Sequence, residues 1–336
     1  MTAKIIEAKD LRGERRDRLI DAVPLPAPWT VFIDPCNACN YRCKFCPTGH
    51  PDLLREYGRK NVLMSYELFC KIVDDLRAFP RPLKQTNLYK DGEPTLHPRF
   101  TDMVRYMKDA DVSERIWVKT NGHVLHPELN IKLVSCGLDM IGVSVTGINA
   151  QMFFDVAGVK VDYEKFRAGV LDLFERSRDT STRVSTKIAD VGLTGSDKQK
   201  FLNDFSDRCD FIAIENLHGW STSDKFDWKL GTNKSFDGTP RTQKIACPLV
   251  LYMLAINSNG DISICNDDQY HLHQLGNVNT ESLTDIWNGA RLRDFRLMHL
   301  TGRKSENAAC ATCDYISALP DSIDNDREEF AERIMI

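Results

Sequence analysis

The amino-acid sequence predicts an α/β fold: a partial (β/α)6 barrel of the TIM type, followed by a small C-terminal unit made of one β-hairpin plus a helix. Three observations predict it. Between residues 29 and 216, six short β-type runs alternate with stretches of helical period, which is the pattern of a parallel sheet wrapped by helices. Six alternations are too few for a closed eight-stranded barrel, so the sheet is expected to stay open. After about residue 240 the alternation stops and a hairpin signal takes over.

In chain order, Trp29–Asp34 is the first strand. Ser65 is placed to cap a helix in which Phe69, Ile72, Val73 and Leu76 recur at i, i+3, i+4 and i+7. Gln85–Tyr89 is the second strand, and Phe100, Met103, Val104 and Met107 repeat the helical spacing. Arg115–Lys119 is the third strand, followed by a helix around Leu129, Leu133 and Val134. Met140–Val145 is the fourth and most strand-like run, and Tyr163, Phe166, Val170, Leu173 and Phe174 mark the helix after it. Arg183–Ile188 and Phe211–Glu215 complete the series, with a helix through Phe201, Leu202 and Phe205 between them.

Leu249–Ile256 and Asp261–Cys265, joined at Asn259-Gly260, read as the hairpin. A helix through Leu283, Ile286, Trp287, Leu292 and Phe295 follows, and the acidic tail Asp321–Glu332 reads as a solvated helix. These signals divide the chain into an N-terminal extension (1–28), the barrel (29–240) and the C-terminal unit (241–336). The Ser-, Thr-, Gly- and Asp-rich segment Gly219–Thr239 is the expected linker.

With 336 residues, 42% of them hydrophobic, the chain can bury a large core. A net charge of −4 gives no electrostatic footprint for nucleic acid. No run of 18 apolar residues suggests a membrane span, and the charged start MTAKIIEAKDLRGERRDRLID lacks the apolar core of a secretory signal. A cytoplasmic protein is expected. In a reducing compartment, clustered cysteines read as metal ligands or catalytic groups rather than disulfides. Of the eleven, Cys70, Cys136 and Cys209 are scattered and read as small core residues; the other eight fall into two groups.

The first group contains Cys39-Asn-Tyr-Arg-Cys43-Lys-Phe-Cys46, a Cys-x3-Cys-x2-Cys loop directly after the first strand, preceded by Cys36. Three thiolates on one tight loop can hold three irons of a cubane and leave the fourth open. A four-cysteine zinc site including Cys36 is the alternative, although zinc pairs are commonly separated by a dozen or more residues. The spacing, the aromatic Phe45 and the position after a first strand resemble the radical S-adenosylmethionine (SAM) superfamily. That resemblance implies a [4Fe–4S] cluster on Cys39, Cys43 and Cys46, with SAM chelating the open iron and being cleaved to a 5′-deoxyadenosyl radical.

The strand ends extend the resemblance. Lys90-Asp91-Gly92-Glu93-Pro94 is similar to the family's Gly-Gly-Glu motif, with Asp91 in place of the first glycine. It implies that Gly92 and Glu93 hold the SAM amino group. Asn121, in Thr120-Asn121-Gly122, and Ser144 and Thr146, in Ser144-Val145-Thr146-Gly147, match strand ends that contact the ribose and carboxylate of SAM in that family. Lys187 could pair with a carboxylate of SAM or substrate, and Glu215, Asn216 and His218 follow at the sixth strand's end. All of these lie at carboxyl ends of parallel strands, where α/β sheets bind ligands.

The second group, Cys247-x17-Cys265 around the Asn-Gly turn plus Cys310-x2-Cys313, resembles the auxiliary-cluster domain called SPASM in its shortened twitch form. It implies one second [4Fe–4S] cluster ligated by all four; structural zinc is the alternative. A fully ligated cluster suits electron transfer, and the single-cluster twitch form is similar to that of the 2-deoxy-scyllo-inosamine dehydrogenase of aminoglycoside biosynthesis. The expectation is therefore oxidation of a carbinol to a ketone on a small sugar-like or cyclitol substrate. Lys187, His218 or Glu215 would act as base, and a flavodoxin- or ferredoxin-type protein as electron donor. The alternatives are redox-neutral epimerisation with Cys36 as hydrogen donor, radical decarboxylation, peptide maturation and a non-catalytic iron–sulfur carrier.

Overall fold

The computed structural model describes residues 3–5, 18–217, 235, 240–263, 265–319 and 321–335. Burial alternates along its strands: Ile116, Val118 and Thr120 are buried, whereas Trp117 and Lys119 between them are half-buried. One face of the sheet thus packs under helices and the other lines the barrel interior. In chain order the strands are β1 (Lys4–Ile5), β2 (Thr30–Ile33), β3 (Gln85–Asn87), β4 (Ile116–Thr120), β5 (Met140–Val145), β6 (Arg183–Ala189), β7 (Phe211–Glu215), β8 (Met253–Ile256), β9 (Asp261–Ser263) and β10 (Gln274–Asn277). The helices that position the site are α1 (Leu19–Ala22), α2 (Pro51–Glu56), α3 (Tyr66–Leu76), α4 (Phe100–Ala110), α5 (Pro127–Ser135), α6 (Ala150–Ala157), α7 (Tyr163–Ser177) and α8 (Gly195–Phe205) in the barrel. The C-terminal ones are α9 (Leu283–Asn288), α10 (Ala290–Leu300), α11 (Tyr315–Ala318) and α12 (Arg327–Met335).

All ten strands form one open sheet in the order β1-β7-β6-β5-β4-β3-β2-β8-β9-β10. From β1 to β8 every pairing is parallel, so the carboxyl ends share one rim; β9 and β10 run antiparallel beyond them. The six barrel strands expected from the apolar pattern are β2 to β7. Their helices follow local rules. The Ser65 hydroxyl accepts from Leu68 N to open α3, whose Phe69, Ile72, Val73 and Leu76 are buried. A reciprocal capping box between Thr194 and Asp197 opens α8.

The structure departs from the sequence reading in instructive places. The segment expected as an N-terminal extension supplies β1, which pairs with β7, and α1, whose Ile20 is buried. Residues 249–251 are not strand: Pro248–Leu251 form a 3-10 turn and β8 begins at Met253. The expected helix through Leu283–Phe295 is two, α9 and α10, broken at Gly289, where a Cβ would meet the Asp285 carbonyl at 2.6 Å. The hairpin is continuous with the barrel, since Thr30–Ile33 of β2 pair with Met253–Ile256 of β8. The expected linker lies outside the described residues, except Ser235.

The acidic tail is a strap rather than a solvated helix. Asp324 accepts from Ile245 N and Ala246 N, Arg327 donates to the Leu300 carbonyl, and Arg333 to that of Ile20. Phe330 of α12 is 1% exposed. Phe330→Ala should accordingly lower unfolding free energy by about 3–5 kcal/mol in denaturant titrations. A purely solvated helix would lose no more than about 0.5 kcal/mol.

Candidate active site

β2 delivers Asp34, Pro35 and Cys36 to the rim, and the chain then folds back on itself. Met64 N donates to the Pro35 carbonyl (2.9 Å), while Asn37 accepts from Val62 N (2.6 Å) and donates to the Lys60 carbonyl (2.9 Å). Between these anchors lies the loop carrying Cys39, Cys43 and Cys46. Helix α6 supports it: Arg42 N donates to Ala157 O (2.7 Å) and Lys44 N to Val156 O (3.0 Å), using the helix's last free carbonyls. Gly49 permits the tight return, because a Cβ there would lie 2.2 Å from the Cys43 carbonyl.

The three thiols stand close enough to feel one another. Burial first, then Glu93 and Cys46, pushes Cys39 up to about 12; burial, then Cys46 and Cys39, pushes Cys43 well above the ordinary thiol value. Such crowded thiols ionise together only around a cation, which is the donor chemistry of an iron–sulfur cluster. Beside the loop, a concavity is lined by Cys39, Arg42, Thr48, Arg55, Arg59 and Lys60.

Strand ends β3, β4 and β5 close on this loop. Gly92 is essential to the approach, since a Cβ would sit 2.3 Å from both the Cys36 and Ala38 carbonyls, and Glu93 N donates to Ala38 O (2.9 Å). The buried Glu93 carboxylate accepts from Thr95 N (3.0 Å), Thr95 Oγ1 (2.5 Å), Thr120 Oγ1 (2.7 Å) and Asn121 N (2.6 Å), so it also ties β3 to β4. Burial raises its pKa and those hydrogen bonds oppose the rise. Asn121 Nδ2 points at Cys39 Sγ (3.7 Å) and Asn40 Oδ1 (2.7 Å), and the Thr146 hydroxyl hydrogen-bonds Cys43. Phe45 is half-buried on the loop.

Asp91, at the position of a family glycine, is the centre of a buried ion cluster. Its carboxylate meets Lys90 Nζ (2.8 Å), His271 Nε2 (2.7 Å) and, at 4.0 Å, Arg59 Nη2. Its backbone holds Thr48 Oγ1 (2.5 Å, at the carbonyl) and Asp34 Oδ1 (3.4 Å, at the N–H). Burial alone would raise Asp91, but Lys90, then Arg59 and His271, outweigh it and hold the carboxyl well below the usual range. Asp34 goes the other way, pushed up to about 6 by burial and then by the Asp91 charge. Sequence reasoning missed Arg59, Lys90 and His271; the Asp91 departure was the available signal.

Facing the interior, Lys187 Nζ donates to Glu215 Oε2 at 2.5 Å, and Ser144 is in register with Lys187 on the neighbouring strand. Lys119 lies 5.4 Å over the Tyr89 ring and lowers the Lys187 pKa after burial has done so first, against the pull of Glu215. Cys36 is 1% exposed and its thiol donates to the Ala38 carbonyl at 3.4 Å; burial pushes it up to about 11. His218 lies outside the described residues.

The other four cysteines, Cys247, Cys265, Cys310 and Cys313, line one cavity, otherwise walled mainly by Leu249, Val250, Phe295 and Ile316. Burial dominates in raising all four thiols, reaching about 11 at Cys247, and neighbouring cysteines raise Cys265, Cys310 and Cys313 further. An apolar cradle with four thiols fits a cluster with a complete set of protein ligands. Among the described residues no three His, Cys, Asp or Glu groups are disposed to hold a single metal ion.

Two substitutions test this arrangement. Asp91→Ala strands Lys90 and Arg59 in the interior and should cost about 3–5 kcal/mol in anaerobic denaturant unfolding; a cost near zero would show that the cations find other partners. Gly92→Ala should drive the cysteine loop off β3 and abolish iron at Cys39, Cys43 and Cys46, read as bound iron and sulfide, while the second set keeps its metal.

Comparison with known proteins agrees with this geometry. A family model described as the radical SAM superfamily matches residues 33–205, and one described as the SPASM iron–sulfur cluster-binding domain matches residues 247–314. Over 115 residues the chain is 36% identical to the tungsten-containing aldehyde ferredoxin oxidoreductase cofactor-modifying protein of Pyrococcus furiosus, covering 34% of this chain and 30% of that one. The match thus spans about a third of the curated relative. Native anSMEcpe with bound AdoMet superposes with a TM-score of 0.61 at 15% identity, covering 92% of this chain and 97% of that one. BtrN in complex with AdoMet and 2-DOIA superposes with a TM-score of 0.55 at 17% identity, covering 88% and 97%. At these identities both show a shared fold. No helix among the described residues is long and apolar enough to cross a membrane. With the superfamily match covering just over half of its length, the chain belongs to the radical SAM superfamily and carries a SPASM-type domain, so its cofactors are SAM, a SAM-binding [4Fe–4S] cluster and an auxiliary iron–sulfur cluster.

Proposed function

We propose that this enzyme oxidises a carbinol carbon of a small sugar-like or cyclitol substrate to a ketone. Cys39, Cys43 and Cys46 hold the SAM-binding cluster, and Cys247, Cys265, Cys310 and Cys313 hold the auxiliary one. When bound, these cofactors supply a 5′-deoxyadenosyl radical at the first site and a one-electron acceptor at the second. The observation that carries the reading is the set of four thiols around the second cavity. A cluster closed by four protein ligands leaves no iron for substrate and suits electron transfer. Further support comes from BtrN, which shares the fold and has been captured with AdoMet and 2-DOIA.

The chain's own residues have the remaining work. A carbinol gives up one hydrogen atom from carbon, one proton from oxygen and one electron. Glu215, held by the Lys187 ammonium at 2.5 Å, takes the proton on its carboxylate, and burial, which draws Lys187 below its ordinary pKa, lets the pair share that proton. Lys119 and Tyr89, on the same side of the sheet, orient substrate hydroxyls. Gly92, Glu93, Asn121, Ser144, Thr146 and Phe45 shape the SAM pocket around the loop. A flavodoxin- or ferredoxin-type protein delivers the starting electron. The burial of Cys36 gives little support to an epimerase that uses it as hydrogen donor.

Incubation with polyol and cyclitol candidates in D2O should yield a ketone, one 5′-deoxyadenosine per turnover and no solvent deuterium on carbon. An inverted product carrying deuterium on carbon would replace this reading with epimerisation. Glu215→Gln should lower kcat for oxidation by about 10²–10⁴ while SAM cleavage without substrate continues. Reconstituted wild type should hold about eight irons, and a Cys39/Cys43/Cys46→Ala variant about four.

A further inference from the structure

We propose that His299 donates a hydrogen bond from Nε2 to a sulfur of the auxiliary cluster and so makes that cluster easier to reduce. His299 sits near the end of α10, 1% exposed, and its ring lines the cavity that the four cysteines share. The Cys247 backbone N–H donates to His299 Nδ1 at 3.4 Å. An accepting Nδ1 carries no proton, which places the ring proton on Nε2 in the neutral imidazole. That Nε2 is buried and has no hydrogen-bond partner among the described residues.

A buried donor without a partner is costly, and proteins rarely leave one. The unmet donor therefore points to an acceptor that the described residues do not supply. Of the other lining side chains, Leu249, Val250, Phe295, Ala309 and Ile316 have no acceptor, Lys304 is a donor, and the Tyr315 hydroxyl makes no hydrogen bond with Nε2; that leaves the cysteine thiolates and the sulfides of a cluster. The ring is also held in place. Phe295 packs edge-on against it at 4.8 Å between centroids, one turn earlier on the same helix. Across the cavity, Lys304 donates to the Cys310 carbonyl at 3.2 Å and brings a positive charge to the same wall. Hydrogen bonds to cluster sulfurs stabilise the extra negative charge of the reduced state and raise the reduction potential. The inference needs only a cluster at the second site and holds whichever reaction the enzyme performs.

Pulsed EPR on the reduced auxiliary cluster of [15N]His-labelled protein, in the Cys39/Cys43/Cys46→Ala background so that a single cluster reports, tests it directly. A 15N coupling together with an exchangeable proton coupling is expected. Potentiometric titration should move the midpoint of His299→Phe to more negative potential, with partial recovery in His299→Gln, which keeps a donor. Absence of the 15N coupling, or an unchanged midpoint in an iron-replete His299→Phe protein, would overturn the proposal. If His299→Phe fails to load iron, the labelled protein with His299 intact decides alone, and iron analysis separates that outcome from a second site filled by zinc.

Discussion

The geometry of both cysteine loops depends on a carboxylate buried between them. Asp91 gathers Lys90, Arg59 and His271, and two of these reach onward: Arg59 to the carbonyls of Asn37 and Gln269, Lys90 to that of Asp268. Asp268 in turn accepts from Leu272 N and His273 N, His273 meets Asn307, and Asn307 accepts from the backbone of Ala309 and Cys310. A continuous run of polar contacts thus leads from Thr48, two residues past Cys46, to Cys310. Buried ion clusters add little net stability because desolvation offsets attraction. What this one provides is orientation: it holds the segment after Cys265 against the end of β3 in a single register.

Much of this was legible in the sequence, for identifiable reasons. The six barrel strands and their helices are long enough to show apolar periods, and Met140–Val145 occupies the very residues expected. The cysteine spacings and the Gly92-Glu93 turn are local patterns, so they can be read without a fold. Elements too short to carry a period were missed: β1 has two residues, and α6 has eight. The Asn149 cap and the left-handed Gly158 were the signals for α6, and Gly158 lets its end pack on Arg42. The ion cluster was out of reach because its partners are remote along the chain; 180 residues separate Asp91 from His271. Asp91 stood out only as a departure from a pattern, and its reason is tertiary. His299 gave no sequence signal, since one histidine on the buried face of a helix is ordinarily a core residue.

The two cysteine sets sit in contrasting surroundings. The first is ringed by amide, hydroxyl and guanidinium groups from Asn121, Thr146 and Arg59, at the rim where a polar ligand such as SAM can be grasped. The second is enclosed mainly by aliphatic and aromatic side chains, with Lys304 and the His299 ring the polar exceptions. A polar surround favours binding and exchange, whereas an apolar one shields a redox centre from water and lets the protein set its potential. On the proposed reading, the division of labour between a reactive centre and a shielded acceptor has a counterpart in the packing itself.

Continuation of the barrel sheet by β8 also affects how the protein behaves toward its own copies. An open six-stranded barrel would leave β2 and β7 as long edges with unpaired backbone groups, templates for intermolecular strand addition. Here β7 is covered by the two-residue β1, and β2 by β8, beyond which the sheet ends at β10, a strand with an irregular register opposite β9. Short and bulged borders are poor docking strips for another chain. The hairpin that Cys247 and Cys265 flank thereby doubles as a guard against aggregation, so an open barrel can stay open for its ligands without becoming adhesive.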